Sequence, residues 1–227
     1  MKVTIKHLSH RYLTPGGSVT VLKDINLQLE RDKTYALMGP SGSGKTTLFH
    51  ILAGLHPIQS GEVWLEQWPW HEMSDDEKTR LRGQHLGIVF QNHLLVPYFT
   101  VWENLMLPIE IHEKTISSSA REQGELMLRR LGLWDKREQL AATLSGGESQ
   151  RLAIARAMIR KPQLVLADEP TAQLDEDNAL VAINLLTELV KENQSTLFLI
   201  SHDPDIASHC ESVFRLKQGQ IISHETR

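Results

Sequence analysis

The chain has 227 residues, of which 41% are apolar and 23% charged, with a formal net charge of −4 and both signs interspersed. That composition can bury a real core, which excludes a disordered chain, and it carries no basic block to neutralise a polyanion, so no direct nucleic-acid binding is expected. Cys210 is the only cysteine, which excludes an internal disulfide and fits a reducing compartment.

In chain order, Val3 to Ile5, Val21 to Leu22 and Ile25 to Leu29 alternate like strands, with Pro15-Gly16-Gly17 as a turn between them. No apolar stretch followed by a small-residue cleavage site opens the chain, so it is expected to stay in the cytoplasm. Tyr35 to Met38 is an apolar run suited to a buried strand, Thr46 to Leu52 reads as a helix capped by Gly54, and Glu62 to Leu65 as a short strand. Trp68, Pro69 and Trp70 form an aromatic cluster that reads either as a packed turn or as a contact surface. Ser74 with Glu77 makes a capping box that opens a helix toward Arg82.

Gly83 to Trp102 contains no Asp, Glu, Lys or Arg and has spanning length, but His85, Gln91, Asn92, His93 and Pro97 make it a poor membrane helix. Action at a membrane would need a separate membrane partner. Ala120 to Leu131 and Glu148 to Arg160 are helical patterns, so about 92–161 reads as a mainly helical insert. Strands return at Leu164 to Ala167 and Thr196 to Ile200, separated by the amphipathic pattern Ala179 to Val190, which predicts an α/β parallel sheet. Val213 to Leu216 and Ile221 to Ile222, joined by Gln218-Gly219, read as a hairpin. With no repeats or low-complexity linker, residues 1–227 are expected to form one domain, with a core of about 1–91 and 162–227.

Three motifs carry chemistry. Gly39-Pro40-Ser41-Gly42-Ser43-Gly44-Lys45-Thr46 matches G-x4-G-K-[ST] directly after an apolar strand and before a helix, the context a phosphate loop needs. Its glycines free backbone N–H groups for phosphates, Lys45 suits the β/γ oxygens, and the Thr46 hydroxyl suits Mg²⁺. Leu164 to Glu169 ends a buried strand on two carboxylates; beside a phosphate loop, Asp168 suits a magnesium ion reached through water, and Glu169 suits a general base for a water in line with the γ-phosphate. Leu144-Ser145-Gly146-Gly147-Glu148-Ser149-Gln150 is a second helix start able to bind an anion, in which Gly146 and Gly147 would let backbone approach a ligand, or else an ordinary Ser/Gly helix cap. One nucleotide does not need both helix starts from one chain.

Together these motifs resemble the ATP-binding-cassette (ABC) ATPases over essentially the whole chain. The resemblance implies a P-loop NTPase fold with a RecA-like core sheet, an N-terminal antiparallel β region and a helical signature subdomain. It implies ATP and Mg²⁺ as cofactors, held by 39–46 with Thr47. It also implies that Tyr12 stacks on adenine, that Gln91 senses magnesium and the attacking water, and that His202 is the switch histidine on the γ-phosphate. Gln173-Leu174-Asp175 would run along the dimer interface. Two copies would pack head to tail, so that Ser145, Gly146, Gly147, Glu148 and Gln150 of one complete the site holding ATP on Lys45 of the other.

Met38 to Leu48, Gly87 to Gln91, Thr100 to Pro108 and Ala167 to Thr171 look most like the LolD, MacB and FtsE group. That likeness implies a peripheral subunit on the cytoplasmic face of a bacterial inner membrane, driving a separate permease of the MacB/FtsX type for export, efflux or lipoprotein release. The alternatives are an FtsE-like regulator of a periplasmic cell-wall enzyme and a soluble cassette that transports nothing. Leu94, Leu95, Val96, Tyr98, Phe99, Val101 and Trp102 would help to form the permease groove, or else belong to the subdomain core. The chain departs from the group at Ala172-Gln173, Glu148-Ser149 and Asp32-Lys33, none of which removes a catalytic group.

Overall fold

The computed structural model describes residues 1–113 and 115–226. Strands β1 (Val3–Thr14) and β2 (Gly17–Leu29) form a long hairpin across the Pro15-Gly16-Gly17 turn. Register shifts in this ladder, and left-handed backbone at His7 and Asp24 (φ 52° and 53°), interrupt the alternation. For that reason the sequence shows short pieces where the chain builds two continuous, bulged strands. β3 (Thr34–Met38) leads through the phosphate loop into α1 (Lys45–Leu52). β4 (Ser60–Leu65) and β5 (Trp68–Pro69) complete a four-stranded antiparallel sheet in the order β2-β1-β4-β5.

The predicted capping box is present at Ser74 and Glu77 and starts α2 (Asp75–His85), which runs without a turn into β6 (Leu86–Val89). No turn residue separates the two, so the sequence does not announce β6. The α-helices α3 (Val101–His112), α4 (Ser118–Arg130) and α5 (Gly146–Met158) follow. α3 is not legible from periodicity because Pro108 lies inside it and apolar residues surround it, although a capping box of Thr100 and Glu103 marks its start. β7 (Leu164–Asp168), α6 (Glu176–Glu192), β8 (Thr196–Ile200), α7 (Pro204–Ala207), β9 (Ser212–Lys217) and β10 (Gln220–Thr226) close the chain.

The second sheet has the order β10-β9-β3-β8-β7-β6, parallel throughout except for β10. Alternation along its strands feeds two cores. Tyr35, Leu37, Leu166, Phe198 and Ile200 pack with α1 and the antiparallel sheet, while Ala36, Met38, Val165, Ala167 and Leu199 pack with α3, α5 and α6. Trp70 is fully buried and donates from Nε1 to the Ile51 carbonyl at 3.1 Å, and Trp68 lies 4.9 Å from His85 ring to ring. Trp70 is therefore a core residue, while Trp68 and Pro69 of β5 are half-buried.

Candidate functional site

β3, β8 and β7 lie side by side and parallel, so their carboxyl ends bring three loops to one edge. The loop from β3 is 39–44. Gly44 sits at φ 110°, and a Cβ there would meet Leu22 and the Val21 carbonyl within 3 Å, so both backbone and packing demand glycine. Gly44 caps α1 with no side-chain hydrogen bond, and the first turn of α1 has no acid, leaving that helix start open to an anion. Buried Lys45 donates from Nζ to the carbonyls of Gly39 (2.8 Å) and Pro40 (3.1 Å), contacts that phosphate oxygens can replace. The Ser43 hydroxyl is buried in the same loop with no hydrogen-bond partner among the described residues.

Thr46 is exposed in the first turn of α1, and the buried Thr47 lies 3.3 Å, hydroxyl to hydroxyl, from Tyr12. Tyr12 is held edge-on by His10 and His56 at 4.9 and 6.0 Å, with 37% of its surface exposed. Tyr12 therefore borders the phosphate loop through Thr47 and is no core aromatic.

β7 ends at Asp168. Burial, the nearby Glu169 and, in opposition, Lys45 set its carboxyl pKa, which rises to about 6. Glu169 takes left-handed backbone at φ 44° while its N–H donates to the Ile200 carbonyl at 3.0 Å. Its carboxylate lies 3.2 Å from Nδ1 of His202, an exposed residue just beyond β8. The Thr46 hydroxyl and the Asp168 carboxylate are the hard oxygen donors that magnesium takes, and a cation here would relieve a carboxylate that burial disfavours; the donor set fits Mg²⁺. Gln91 is exposed beyond the end of β6, next to Phe90, which packs edge-to-face on Phe49 of α1 at 5.8 Å.

At the second helix start, Ser145 is the N-cap of α5: its side chain accepts from the Glu148 N–H at 3.3 Å, and Glu148 accepts from the Ser145 N–H at 3.1 Å. Lys136 also binds the Glu148 carboxylate and holds its pKa below the usual range, so this acid faces its own helix cap. The two glycines do different work. Gly146 is exposed, and a Cβ there would meet only Leu174 at 3.8 Å, whereas Gly147 is buried with the Asn178 amide oxygen 2.4 Å from where a Cβ would stand. Gly147 thus admits the first turn of α6, where Asp175 is the N-cap and accepts from the Asn178 N–H at 2.9 Å. Gln150 is 1% exposed, with neither amide atom partnered among the described residues, so its side chain is buried rather than open at the helix start. Lys136 and Asn178 carry no sequence signal for these roles, because their partners lie on other elements.

The apolar segment after Gln91 divides. Leu94, Tyr98 and Phe99 are exposed, Leu95 and Val96 are half-buried, and Val101 is fully buried; Trp102 packs edge-to-face on Trp134 at 6.3 Å. A cleft of about 430 Å³ lies alongside, between Leu86, Ile88 and Phe90 on the core side and Leu107, Pro108 and Ile111 of α3, with Arg82, Arg156 and Arg160 at its walls. The sequence alone places no residue of this cleft in a docking role.

The sequence pattern of the ABC transporter family matches residues 22–172, which spans the phosphate loop, the helix start at Ser145 and the Asp168-Glu169 pair. The chain belongs to the ABC transporter family. This cassette is 39% identical over 223 residues to the lipoprotein-releasing system ATP-binding protein LolD of Legionella pneumophila (strain Paris), covering 98% of each chain. It is 38% identical over 219 residues to the ABC transporter ATP-binding protein YbbA of Escherichia coli (strain K12), covering 96% of each. Among solved structures it matches a dimeric, post-hydrolysis ATP-binding cassette bound to ADP and Pi, with a TM-score of 0.90, 32% identity, and 99% and 98% of the two chains covered. The cassette is an ABC-type ATPase with the mixed α/β fold of that family. Among the described residues, no helix is long and apolar enough to cross a membrane.

Proposed function

We propose that this ATPase hydrolyses MgATP at two composite sites between two head-to-tail copies of itself, and that the cycle drives a separate membrane permease of the MacB/FtsX type from the cytoplasmic face of the inner membrane. The observation that carries the reading is the meeting of Lys45, Asp168, Glu169 and His202 at the ends of three adjacent strands, while Ser145 and Gly146 stand exposed at a second helix start. Lys45 and the backbone N–H groups of 41–46 bind the phosphates, and Tyr12 stacks on adenine. Glu169 accepts the proton of the attacking water, and His202, beside it, contacts the γ-phosphate. Thr46, Gln91 and, through water, Asp168 would hold Mg²⁺, which when bound neutralises charge on the β and γ oxygens. Ser145 and Gly146, with the start of α5, bind the γ-phosphate on the partner copy, and Asp175 lies along the same interface. Glu148 and Gln150 serve that site by shaping the helix start, since the carboxylate caps its own helix and the amide is buried.

The cleft between β6 and α3 and the neighbouring Leu94, Tyr98 and Phe99 suit a short amphipathic helix of the permease. Likeness to both LolD and YbbA supports the permease class without choosing cargo. Two measurements test the proposal. Glu169→Gln should cut turnover by on the order of 10²–10⁴ and accumulate an ATP-bound dimer in size exclusion. Turnover equal to wild type removes Glu169 as the base. Ile111→Asp should keep ATP turnover of the isolated chain while abolishing co-purification with its permease from detergent-solubilised membranes; retained co-purification removes the cleft as the docking face.

A further inference from the structure

The turn that follows Gln91 is unusual. His93 and Leu94 are consecutive non-glycine residues in left-handed backbone, at φ 51° and 49°, and the Leu94 N–H turns back to the Asn92 carbonyl. Such a turn persists only when its surroundings hold it, and two side chains from elsewhere in the chain do so. Arg156, in the last turn of α5, donates from Nη1 to the Leu94 carbonyl and from Nη2 to the His93 carbonyl, both at 2.7 Å. Gln173 donates from Nε2 to the Asn92 side-chain oxygen at 2.8 Å.

No carboxylate pairs with Arg156 among the described salt bridges, and burial alone displaces its pKa, downward. A half-buried guanidinium spent on two backbone carbonyls is there for their position, because a planar fork fixes both at once where an ammonium fixes a point. α5 is the helix whose start, Ser145 and Gly146, is assigned to the partner's ATP, while Gln91 is assigned to the ATP on its own Lys45. Arg156 also lines the cleft beside Phe90 and Pro108.

We propose that Arg156 is a positioning residue for hydrolysis: its fork fastens the turn after Gln91 to the signature helix, so that the groups serving the two ATP molecules of a dimer move as one body. This inference rests on the roles proposed above for Gln91 and Ser145. Gln173 fastens the same turn from the segment that leads to Asp175, and an occupant of the cleft touches the fastening directly. Displacing Gln91 leaves phosphate binding by Lys45 and stacking on Tyr12 in place, so the rate of the chemical step suffers and nucleotide affinity does not.

The test compares purified full-length wild type, Arg156→Ala, Arg156→Lys and Gln91→Ala in steady-state ATP hydrolysis, with thermal midpoints measured alongside. Both Arg156 variants should lose on the order of 10–100-fold in kcat with little change in KM for ATP. Guanidinium ion at non-denaturing concentration should restore part of the kcat of Arg156→Ala and none of that of Gln91→Ala. Gln173→Ala should show a smaller loss with the same kcat-against-KM split. If Arg156→Lys hydrolyses like wild type while Gln91→Ala is impaired, the fastening is refuted and the role of Gln91 stands. If Gln91→Ala hydrolyses like wild type, the role of Gln91 fails and the fastening fails with it. If both Arg156 variants lose folding stability in step with turnover and guanidinium rescues nothing, Arg156 is structural and the proposal is overturned.

Discussion

Asp168→Asn should stabilise the nucleotide-free protein, and by an amount that depends on pH. In the folded chain the Asp168 carboxyl titrates near pH 6, against an ordinary value of 3.8, because burial and Glu169 disfavour its charge more than Lys45 favours it. The gap is about 2 pH units, which at 1.36 kcal/mol per unit amounts to about 3 kcal/mol. The sign follows from proton counting: between pH 3.8 and about 6 the folded state holds a proton that the unfolded state has lost, so stability falls as pH rises through that window and levels off above it. Asparagine has the same shape and carries no charge, so its advantage over aspartate should be about 3 kcal/mol at pH 8 and about half of that at pH 5. For a chain of this length that corresponds to about 6–12 °C in the thermal midpoint at pH 8. Urea unfolding of both proteins across pH 5–8, without nucleotide or divalent cation, reads the difference. Saturating MgATP should shrink or reverse it, since a cation favours the ionised carboxylate. An advantage independent of pH, or an asparagine variant less stable at pH 8, would refute the account of Asp168 as a charge held for a cation.

Three further outcomes are expected. Ser145→Arg should abolish hydrolysis while dilute, monomeric protein still binds a fluorescent ATP analogue, as the proposed role of Ser145 at the partner's nucleotide requires; loss of binding by the monomer contradicts the head-to-tail arrangement. Gly147→Ala places a methyl 2.4 Å from the Asn178 amide oxygen and should cost about 1–3 kcal/mol in denaturant unfolding, most of it recovered by adding Asn178→Ala. Asn104 is fully buried, accepts from the Val96 N–H at 2.8 Å and donates to the carbonyls of Val96, Phe99 and Thr100. Asn104→Ala should therefore lower stability by about 1–3 kcal/mol and speed amide exchange at Val96, the first apolar residues before α3 loosening ahead of the core.

The parts of the site that are legible in the sequence are those in which backbone and chemistry are local. A phosphate loop needs its glycines, lysine and hydroxyl within eight consecutive residues, and a strand ending on Asp168-Glu169 declares itself by an apolar run and two adjacent acids. Where the burden is shared between distant residues, the sequence is silent. It shows that Gly146 and Gly147 flank a helix start, but not that Gly147 is claimed by Asn178 on α6 while Gly146 stays open. It suggests a docking surface on Leu94 to Trp102, whereas burial removes Val101 and the open cleft draws on β6, α3 and α5.

By itself the chain determined the kind of machine, because phosphate-binding loops, capping boxes and buried strands are short-range solutions to hydrogen bonding and burial, and each leaves its full signature in a few neighbouring residues. The joining of those pieces was decided only in three dimensions. Glu169 reaches His202 because β7 and β8 are parallel neighbours, and the Gln91 turn is held by Arg156 and Gln173 from 63 and 81 residues away. Side-chain contacts over such separations leave no periodicity to read, since any flexible polar residue in the right place can make them; the packing of helices on the sheet selects which one does.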